Sequence, residues 1–254
     1  MTNIYEELSR IARSDTKAAL CTIISTKGST PRKIGAKMIV YEDRRITGTI
    51  GGGDLEKNVI DDSIKILEKG KPTVFKHDLL YQHGMCCGGT VEIFIEPIVK
   101  TKKLFIFGAG HTGQSLAKFA WDTGFDVYLI DDRKEYIDHC ITSGINKMNL
   151  QHLAACEALP FDENTFIVIT TYSHQIDRDI LAYCVKKRWA YLGMIGSKRK
   201  VLMTKKMFIE SQIGSHEELE NIHMPVGLNI AAETPKEIAI SILAELIRIK
   251  NTKK

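Results

Sequence analysis

The feature that most constrains the fold is a glycine turn between an apolar run and an amphipathic segment. Gly108, Gly110 and Gly113 form a Gly-x-Gly-x-x-Gly pattern directly after LFIF and at the start of a predicted helix. Asp131 ends the next apolar run, VYLID, where a dinucleotide-binding unit places its acidic residue. The order of strand, glycine turn, helix and strand predicts a Rossmann-type fold built on a parallel sheet.

Each residue of this turn has a predicted role in holding a nucleotide. Gly108 permits the tight turn, Gly110 lets the backbone approach a pyrophosphate, and Gly113 lets the helix pack on the strand. The helix N-terminus, with His111 in its first turn, offers N–H groups to phosphates. Asp131 or Asp132 is the predicted acceptor for the adenine ribose hydroxyls, which favours NAD over NADP, although Arg133 weakens that preference. Related folds keep such glycines without using a cofactor, so a nucleotide-free unit stays an alternative.

The two parts of the chain have different patterns. Residues 1–99 contain short apolar runs, tight turns and two helical patterns, which predict a smaller α+β domain. A proline and clustered lysines in residues 97–103 indicate a boundary, and residues 100–254 then alternate between strand and helix patterns. The predicted class is α/β, with a C-terminal Rossmann-like, doubly wound parallel sheet and a smaller N-terminal α+β domain.

Composition limits the classes of partner. The 254 residues are 44% hydrophobic and 26% charged, with a formal charge of +4, as in an average soluble protein. No long basic block favours nucleic acid, and no apolar run reaches membrane-spanning length. The N-terminus has an amphipathic helix pattern rather than a secretory signal, so we expect a cytoplasmic protein. Its six cysteines include no C-x-x-C pair, which argues against a disulfide framework or a structural zinc.

Two adjacent cysteines, Cys86 and Cys87, precede Gly88 and Gly89 and a strand-like run. One interpretation is a tight turn with buried thiols, since buried free cysteines are common. The other is a thiol presented to a bound ligand, with glycines that let a bulky group approach the backbone. The remaining cysteines stand in apolar or helical runs and are predicted to be core residues: Cys21, Cys140, Cys156 and Cys184.

Two glycine-bracketed loops in the first part are candidate ligand contacts. Arg32 and Lys33 lie in the loop PRKIG, and their charges suit a phosphate or another anion. Gly51, Gly52 and Gly53 precede a predicted helix. Three consecutive glycines are costly in entropy, which favours close backbone contact with a ligand. The alternative is a helix entry that needs unusual backbone angles.

Two polar segments follow strands of the second part, at the predicted carboxyl edge of the sheet. Ser197, Lys198 and Arg199 begin a helix, where cations are unfavourable unless an anion joins them. A solvated basic turn is the alternative to an oxyanion site. His174 and Asp177 are three residues apart on another helix start and form a candidate proton-handling pair. The alternative is a capping Asp beside a surface His, and no further ligand for a catalytic metal is evident.

These motifs, in order over nearly the whole chain, resemble the XdhC/CoxI family of accessory proteins for xanthine dehydrogenase and related molybdenum hydroxylases. The segments that carry the resemblance are GSTPRKIGAKMIV, TGTIGGGDLE, CGGTVEIFIEP, FGAGHTGQ, TYSHQID, GMIGSKRK and PVGLNIAAETPKEIAISILAE. The family motif Cys-Gly-Gly falls on Cys87, Gly88 and Gly89, with Cys86 as an extra thiol. Tyr172 replaces the first histidine of a family His-x-His pattern, which leaves His174 and Asp177 as candidates.

The resemblance implies a chaperone that binds the molybdenum cofactor, protects it during sulfuration and inserts it into an apo-hydroxylase of the xanthine dehydrogenase type. It also implies a homodimer and contact with a cysteine desulfurase. A thiolate of Cys87 is a suitable soft ligand for molybdenum, and basic loops suit the cofactor's phosphate. The competing function is an NAD(P)-dependent oxidoreductase acting on a small molecule, for which only His174 is a convincing acid. A cofactor-binding chaperone is favoured over a turnover enzyme.

Overall fold

A computed structural model describes most of the chain, namely residues 3–12, 14, 16–80, 88–98 and 101–252. The chain divides into two compact units, residues 1–100 and 101–254. Each unit is built around its own sheet, antiparallel in the first and parallel in the second. The predicted α/β class, with a Rossmann-like C-terminal sheet, is therefore confirmed.

The first unit is an antiparallel sheet with one long helix against it. In chain order its elements are α1 (Ile4–Ala12), β1 (Ala18–Lys27), β2 (Lys37–Tyr41), β3 (Ile46–Gly48), α2 (Gly53–Lys69), β4 (Thr73–Asp78) and β5 (Thr90–Pro97). The strands lie side by side in the order β3-β2-β1-β5-β4.

Alternation along the strands places the core of this unit between the sheet and α2. On β5 every second side chain is buried, beginning at Val91, as expected for a sheet with one packed face. Leu55, Val59 and Ile66 recur at helical spacing on α2 and are buried in the same cluster as the strand residues. This packing fixes the helix start, and with it the glycine loop that precedes Gly53.

The second unit is built around a parallel sheet. In chain order its elements are β6 (Lys103–Phe107), α3 (His111–Asp122), β7 (Asp126–Asp131), α4 (Lys134–Asp138), β8 (Asn146–Asn149), α5 (His152–Ala158), β9 (Thr165–Ile169), α6 (His174–Cys184), β10 (Tyr191–Met194), α7 (Lys198–Glu210), α8 (His216–Glu220) and α9 (Pro235–Thr252). The strand order in the sheet is β10-β9-β6-β7-β8.

Helices cover both faces of the parallel sheet, so its central strands are apolar throughout. Every residue of β9 is buried, which is typical of a strand packed on both faces. Helices α3 and α9 contribute to the core on one face, and α5, α6 and α7 to the core on the other. Phe107, Ile130 and Ile169 align in register, so the segments after β6, β7 and β9 share one edge.

Local sequence signals mark the start of the last helix. The Thr234 hydroxyl accepts from the Glu237 N–H at 3.3 Å, and the Glu237 carboxylate accepts from the Thr234 N–H at 2.9 Å. This is a capping box, with Pro235 as the first helical residue. Among the described helices, none combines the length and apolar composition needed to cross a membrane.

Candidate functional site

Gly88 and Gly89 are held against the loop that follows β1. Gly88 forms an isolated parallel bridge with Ser29 and has a positive φ of 63°. A Cβ atom on Gly89 would lie 2.2 Å from the Ser29 carbonyl oxygen, so only glycine permits this approach. The two glycines therefore lie directly against the loop at residues 28–36. Cys86 and Cys87 themselves lie outside the described residues.

The predicted cations lie in this same loop. Arg32 and Lys33 are exposed, and neither forms an ion pair with any described residue. The loop is held at its far end by backbone bonds between Ile23 and the Gly35–Ala36 segment, at 2.8 and 3.0 Å. Exposed cations with no ion-pair partner in the described part of the chain are suitable contacts for an external anion.

The three-glycine loop packs against the basic loop, but its amides are largely engaged. The Glu56 carboxylate accepts from the Thr49 hydroxyl at 2.6 Å and from the N–H groups of Ile50 and Gly52 at 3.0 and 2.9 Å. Burial opposes ionisation of Glu56, yet these hydrogen bonds outweigh it and hold its pKa below the ordinary value. A Cβ on Gly51 would lie 2.6 Å from Cγ of Pro31, so this approach requires glycine.

The first unit therefore brings together three of the predicted groups. We call the residues 28–36, 49–53 and 88–89 the glycine-loop cluster. It contains the predicted Arg32, Lys33 and Gly88, together with Gly89 and the loop from Gly51 to Gly53. A role for Glu56 was not predicted from the sequence. Its carboxylate accepts from the N–H groups of Ile50 and Gly52 and so fixes the backbone of the three-glycine loop.

In the second unit, the glycine turn has the tight geometry that its pattern predicts. Gly108 has a φ of 112°, and a Cβ there would lie 2.3 Å from the Thr170 carbonyl oxygen. A Cβ on Gly113 would lie 1.8 Å from the Gly108 carbonyl oxygen, so helix α3 packs on the turn only with glycine. Gly110 meets nothing within 4 Å and is open on its side-chain side.

A cavity of about 330 Å³ lies at the N-terminus of α3. First-turn N–H groups of a helix have no intrahelical acceptor, so this wall of the cavity is a donor surface. The opposite walls come from the segments after β7, β9 and β10 and from α9. The lining residues are Gly110, His111, Thr112, Gly113, Arg133, Tyr136, Thr170, Thr171, Tyr172, Ile195 and Pro235.

Asp131 is fully engaged with protein groups. Its Oδ2 accepts from the Ala109 N–H at 2.7 Å and from Nη2 of Arg133 at 2.9 Å. Its Oδ1 accepts from both the N–H and Nε of Arg133, at 3.0 and 2.9 Å. Burial opposes its charge, but Arg133 and the two amides hold its pKa below the ordinary value. A ribose hydroxyl, the predicted partner of Asp131, would have to displace Arg133.

Two tyrosines hold Arg133 in place from either side. Its guanidinium carbon lies 3.8 Å from the ring centre of Tyr136 and 4.1 Å from that of Tyr172. Cation–π contacts of this kind are worth about 0.5–2 kcal/mol each. The sequence indicated Arg133 only as a neighbour of Asp131, and its stacking between two tyrosines was not predicted.

Asp177 is paired with a lysine rather than with His174. Its Oδ2 lies 2.5 Å from Nζ of Lys200, and its Oδ1 accepts from the Thr171 hydroxyl at 2.6 Å. His174 Nδ1 lies 3.9 Å from Oδ2, too long for a hydrogen bond, and its side chain is 76% exposed. Asp177 therefore forms a buried ion pair with Lys200. His174 lies beside this pair and makes no hydrogen bond to Asp177, so the predicted proton-handling pair is not formed in this structure.

Lys200 was missed as a site residue, although it is the third cation of the GSKRK segment. Its Nζ also donates to the Ile195 carbonyl at 2.8 Å, and Ile195 lines the cavity. Ser197 caps α7 by accepting from the Lys200 N–H at 3.2 Å. Lys198 and Arg199 are exposed beside it, with no partner among the residues that the structure describes.

The fold and these sites define a class: a two-unit α/β protein with a glycine-loop cluster in an antiparallel unit and a cavity at a helix N-terminus in a Rossmann-type unit. Residues 104–246 match the family model described as the XdhC Rossmann domain, and residues 11–78 match the model of the XdhC and CoxI family. The chain belongs to the XdhC and CoxI family.

Curated relatives agree with this membership. The uncharacterized protein YqeB of Escherichia coli strain K12 is 34% identical over 256 residues, which cover 98% of this chain and 46% of YqeB. The chain thus spans less than half the length of that relative. A Bacillus subtilis protein, named as a probable xanthine dehydrogenase component, is 24% identical over 98% of this chain and 98% of its own length. The E. coli molybdenum cofactor insertion chaperone PaoD is 21% identical, over 92% of this chain and 83% of PaoD.

A solved structure has the same fold over the whole chain. It is described as a xanthine dehydrogenase from Bacillus halodurans and superposes with a TM-score of 0.54 at 23% identity. The match covers 100% of this chain and 97% of the other. At this identity the likeness shows the arrangement of the backbone and carries no information about the reaction.

Proposed function

We propose that this protein is an accessory protein that binds the molybdenum cofactor and inserts it into a molybdenum hydroxylase of the xanthine dehydrogenase type. The observation that carries the proposal is the relationship to a named cofactor-insertion chaperone over 92% of the chain. The B. subtilis relative is named as part of a xanthine dehydrogenase, which supports that class of partner. The protein is then a carrier without turnover of its own.

The glycine-loop cluster has the chemistry that this cargo needs. The cofactor combines a pterin and a terminal phosphate with a molybdenum centre bound by sulfur. Arg32 and Lys33 are exposed and unpaired in the described structure, and such cations suit a phosphate. Gly88 has open space where a side chain would stand, so a flat ring system can approach the backbone there.

The finer steps follow from the same proposal. The Cys87 thiolate is the soft ligand that would face the molybdenum, with Cys86 as its alternative. Holding the sulfur-bound metal against protein protects it during sulfuration by a cysteine desulfurase. We further propose that the protein acts as a homodimer when it delivers the cofactor to the apo-hydroxylase.

The competing proposal, an NAD(P)-dependent oxidoreductase, has support from the glycine turn and the cavity beside it. Two observations weigh against it. Arg133 occupies both oxygens of Asp131, the group that would bind the adenine ribose. His174 is exposed and outside hydrogen-bonding distance of Asp177, so it lacks the partner that would tune it as a general acid. NAD(P) is therefore the second candidate ligand.

The test is to identify what the full-length protein carries and what it can transfer. The chain is purified from cells that make the molybdenum cofactor, and bound pterin is released, oxidised to its fluorescent form and counted per chain. The loaded protein is then mixed with a cofactor-free xanthine dehydrogenase. We expect co-purified pterin and recovery of hydroxylase activity. Pterin-free protein that instead binds NAD(H) and oxidises it with a small carbonyl substrate would overturn the proposal.

A further inference from the structure

His152 is a buried side chain without a hydrogen-bond partner. It is 1% exposed, and neither Nδ1 nor Nε2 has a partner among the described residues. A buried polar group left unmatched costs about 1–3 kcal/mol. Such groups are rare in native proteins and call for a ligand, a water molecule or an ion.

Two carboxylates face this imidazole. Asp131 ends β7, Asp132 follows it, and one ligand atom from each lies within 4.8 Å of the others and of a His152 nitrogen. Oδ1 of Asp132 is also buried without a partner, while its Oδ2 accepts from the Tyr172 hydroxyl at 3.1 Å. Three potential metal-ligand atoms therefore lie close together. Two of the three side chains, Asp132 and His152, each have such an atom without a hydrogen-bond partner among the described residues.

The charge at this point suits a cation. Asp131 and Asp132 carry two negative charges, of which Arg133 offsets one. The imidazole of His152 is 1% exposed and can offer a nitrogen lone pair to a metal. Asn149 donates to the carbonyl oxygens of Asp131 and Asp132, both at 3.0 Å, which fixes the backbone that presents the carboxylates.

We propose that Asp131, Asp132 and His152 form a binding site for a divalent transition-metal ion, with zinc as the representative of its class. One imidazole and two carboxylates are ligands that such ions accept in proteins. Tetrahedral donors at zinc are about 3.3 Å apart, since each bond is about 2.0–2.2 Å long. Rotation of the Asp132 and His152 side chains draws the donors together. The two oxygens of Asp131 already accept four hydrogen bonds, so the metal replaces one of those from Arg133.

The site lies beside the cavity of the second unit, and Tyr172 joins the two. Tyr172 donates to Asp132 and lines the cavity, and its ring centre lies 6.3 Å from that of His152. Three protein ligands leave a fourth position at the metal for water or an exogenous group. This site is separate from the proposed delivery of the molybdenum cofactor, and its test uses protein without that cofactor.

The experiment measures zinc binding to the full-length chain after chelator treatment and dialysis, by calorimetry and by metal analysis. We expect one zinc ion per chain and, with cobalt in its place, the visible absorption of a tetrahedral ion. Asp132→Asn and His152→Gln should each weaken binding by about tenfold or more. His216→Ala removes an exposed histidine and is the matched control that should bind as the wild type does.

Asn has nearly the same shape as Asp, so Asp132→Asn should leave the fold intact. Zinc binding by this variant tests the proposal even if His152→Gln fails to fold. Wild-type protein that takes up no zinc would overturn the proposal. Binding that survives Asp132→Asn unchanged would overturn it equally, because the ion would then be held elsewhere, for example by exposed thiols.

Discussion

Nζ of Lys200 lies 2.5 Å from Oδ2 of Asp177, and both side chains are nearly excluded from water, at 12% and 2% exposure. Asp177 also accepts from the Thr171 hydroxyl, and Lys200 donates to the Ile195 carbonyl. The pair therefore ties the starts of α6 and α7 to the segments after β9 and β10. These segments line the cavity, so the pair supports its wall.

Removing one partner of this pair should destabilise the second unit. Lys200→Met leaves the Asp177 carboxylate buried without its cation, which costs about 3–5 kcal/mol in comparable buried pairs. Lys198→Met removes an exposed cation from the same helix turn and should change stability by less than about 0.5 kcal/mol. Urea unfolding followed by tryptophan fluorescence reports on this unit, since Trp121 and Trp189 both lie in it. Equal losses of unfolding free energy in Lys200→Met and Lys198→Met would contradict the structural role of the ion pair between Lys200 and Asp177.

The glycines of the turn should differ sharply in tolerance. Gly113→Ala places a Cβ 1.8 Å from the Gly108 carbonyl oxygen, and we expect a loss of about 1–3 kcal/mol as the helix is forced away. Gly110→Ala meets nothing within 4 Å at a φ of −67°, so its stability should stay within about 0.5 kcal/mol of wild type. The same urea assay compares them, and a destabilised Gly110→Ala protein would speak against this geometry.

Stability should fall at acid pH through Glu245. Burial opposes its charge, but hydrogen bonds from His223, Tyr191 and the Gly227 N–H lower its pKa to about 2. The unfolded chain, with a carboxyl pKa near about 4.3, binds the proton first. The stabilisation, about 3 kcal/mol, is therefore complete above the unfolded pKa and is lost as pH falls from about 5 to 2.

Glu245→Gln should remove this part of the pH dependence. Its free energy of unfolding, measured by urea titration at several pH values, should change less between pH 5 and pH 2 than that of wild type. Glu220→Gln alters an exposed carboxylate of the same unit and serves as the control. A pH profile of Glu245→Gln that parallels wild type would show that other groups dominate acid unfolding.

We predict that the Cys87 thiolate contacts the molybdenum centre of the cofactor. Cys87→Ser should reduce the pterin retained by purified protein, because a hydroxyl is a poor ligand for a soft metal–sulfur centre. Cys86→Ser separates the two adjacent thiols, and Cys156→Ser, which alters a buried cysteine of the other unit, controls for general effects. If Cys86→Ser and Cys87→Ser proteins both load like wild type, neither thiol contacts the cargo.

Local sequence signals were enough for most of the fold. The glycine turn, the alternation on β5 and the Thr234 capping box each depend on residues close in sequence, and the structure has all of them. The four cysteines predicted to be core residues are buried. Four short elements were not predicted: helix α4, the polar edge strand β8, and helices α5 and α8. The residues of β8, Asn146–Asn149, form a strand only because they pair with β7, so their own pattern could not reveal it.

The site was less predictable because its partners are distant in sequence. Asp177 was expected to act with His174, three residues away, yet it pairs with Lys200 from the next strand–helix segment. Asp131 or Asp132 was expected to bind a ribose, and the contact between Asp131 and Arg133 was not predicted. His152 gave no signal at all, since only the packing of α5 brings it to Asp132. Each of these contacts depends on where separate strand ends meet, which spacing along the chain does not encode.

We propose that Arg32 and Lys33 of the glycine-loop cluster, which form no ion pair with any residue the structure describes, hold the phosphate of the molybdenum cofactor. The direct measurement is pterin per chain in the Arg32→Ala/Lys33→Ala double variant, purified from cofactor-producing cells. The control, Lys69→Ala/Lys71→Ala, removes the same charge at the far end of α2, a helix of 17 residues and therefore about 25 Å long.

Loss of two charge-assisted contacts should weaken retention by at least about tenfold, while the control variant loads like wild type. Equal pterin content in the double variant and the control would contradict the claim.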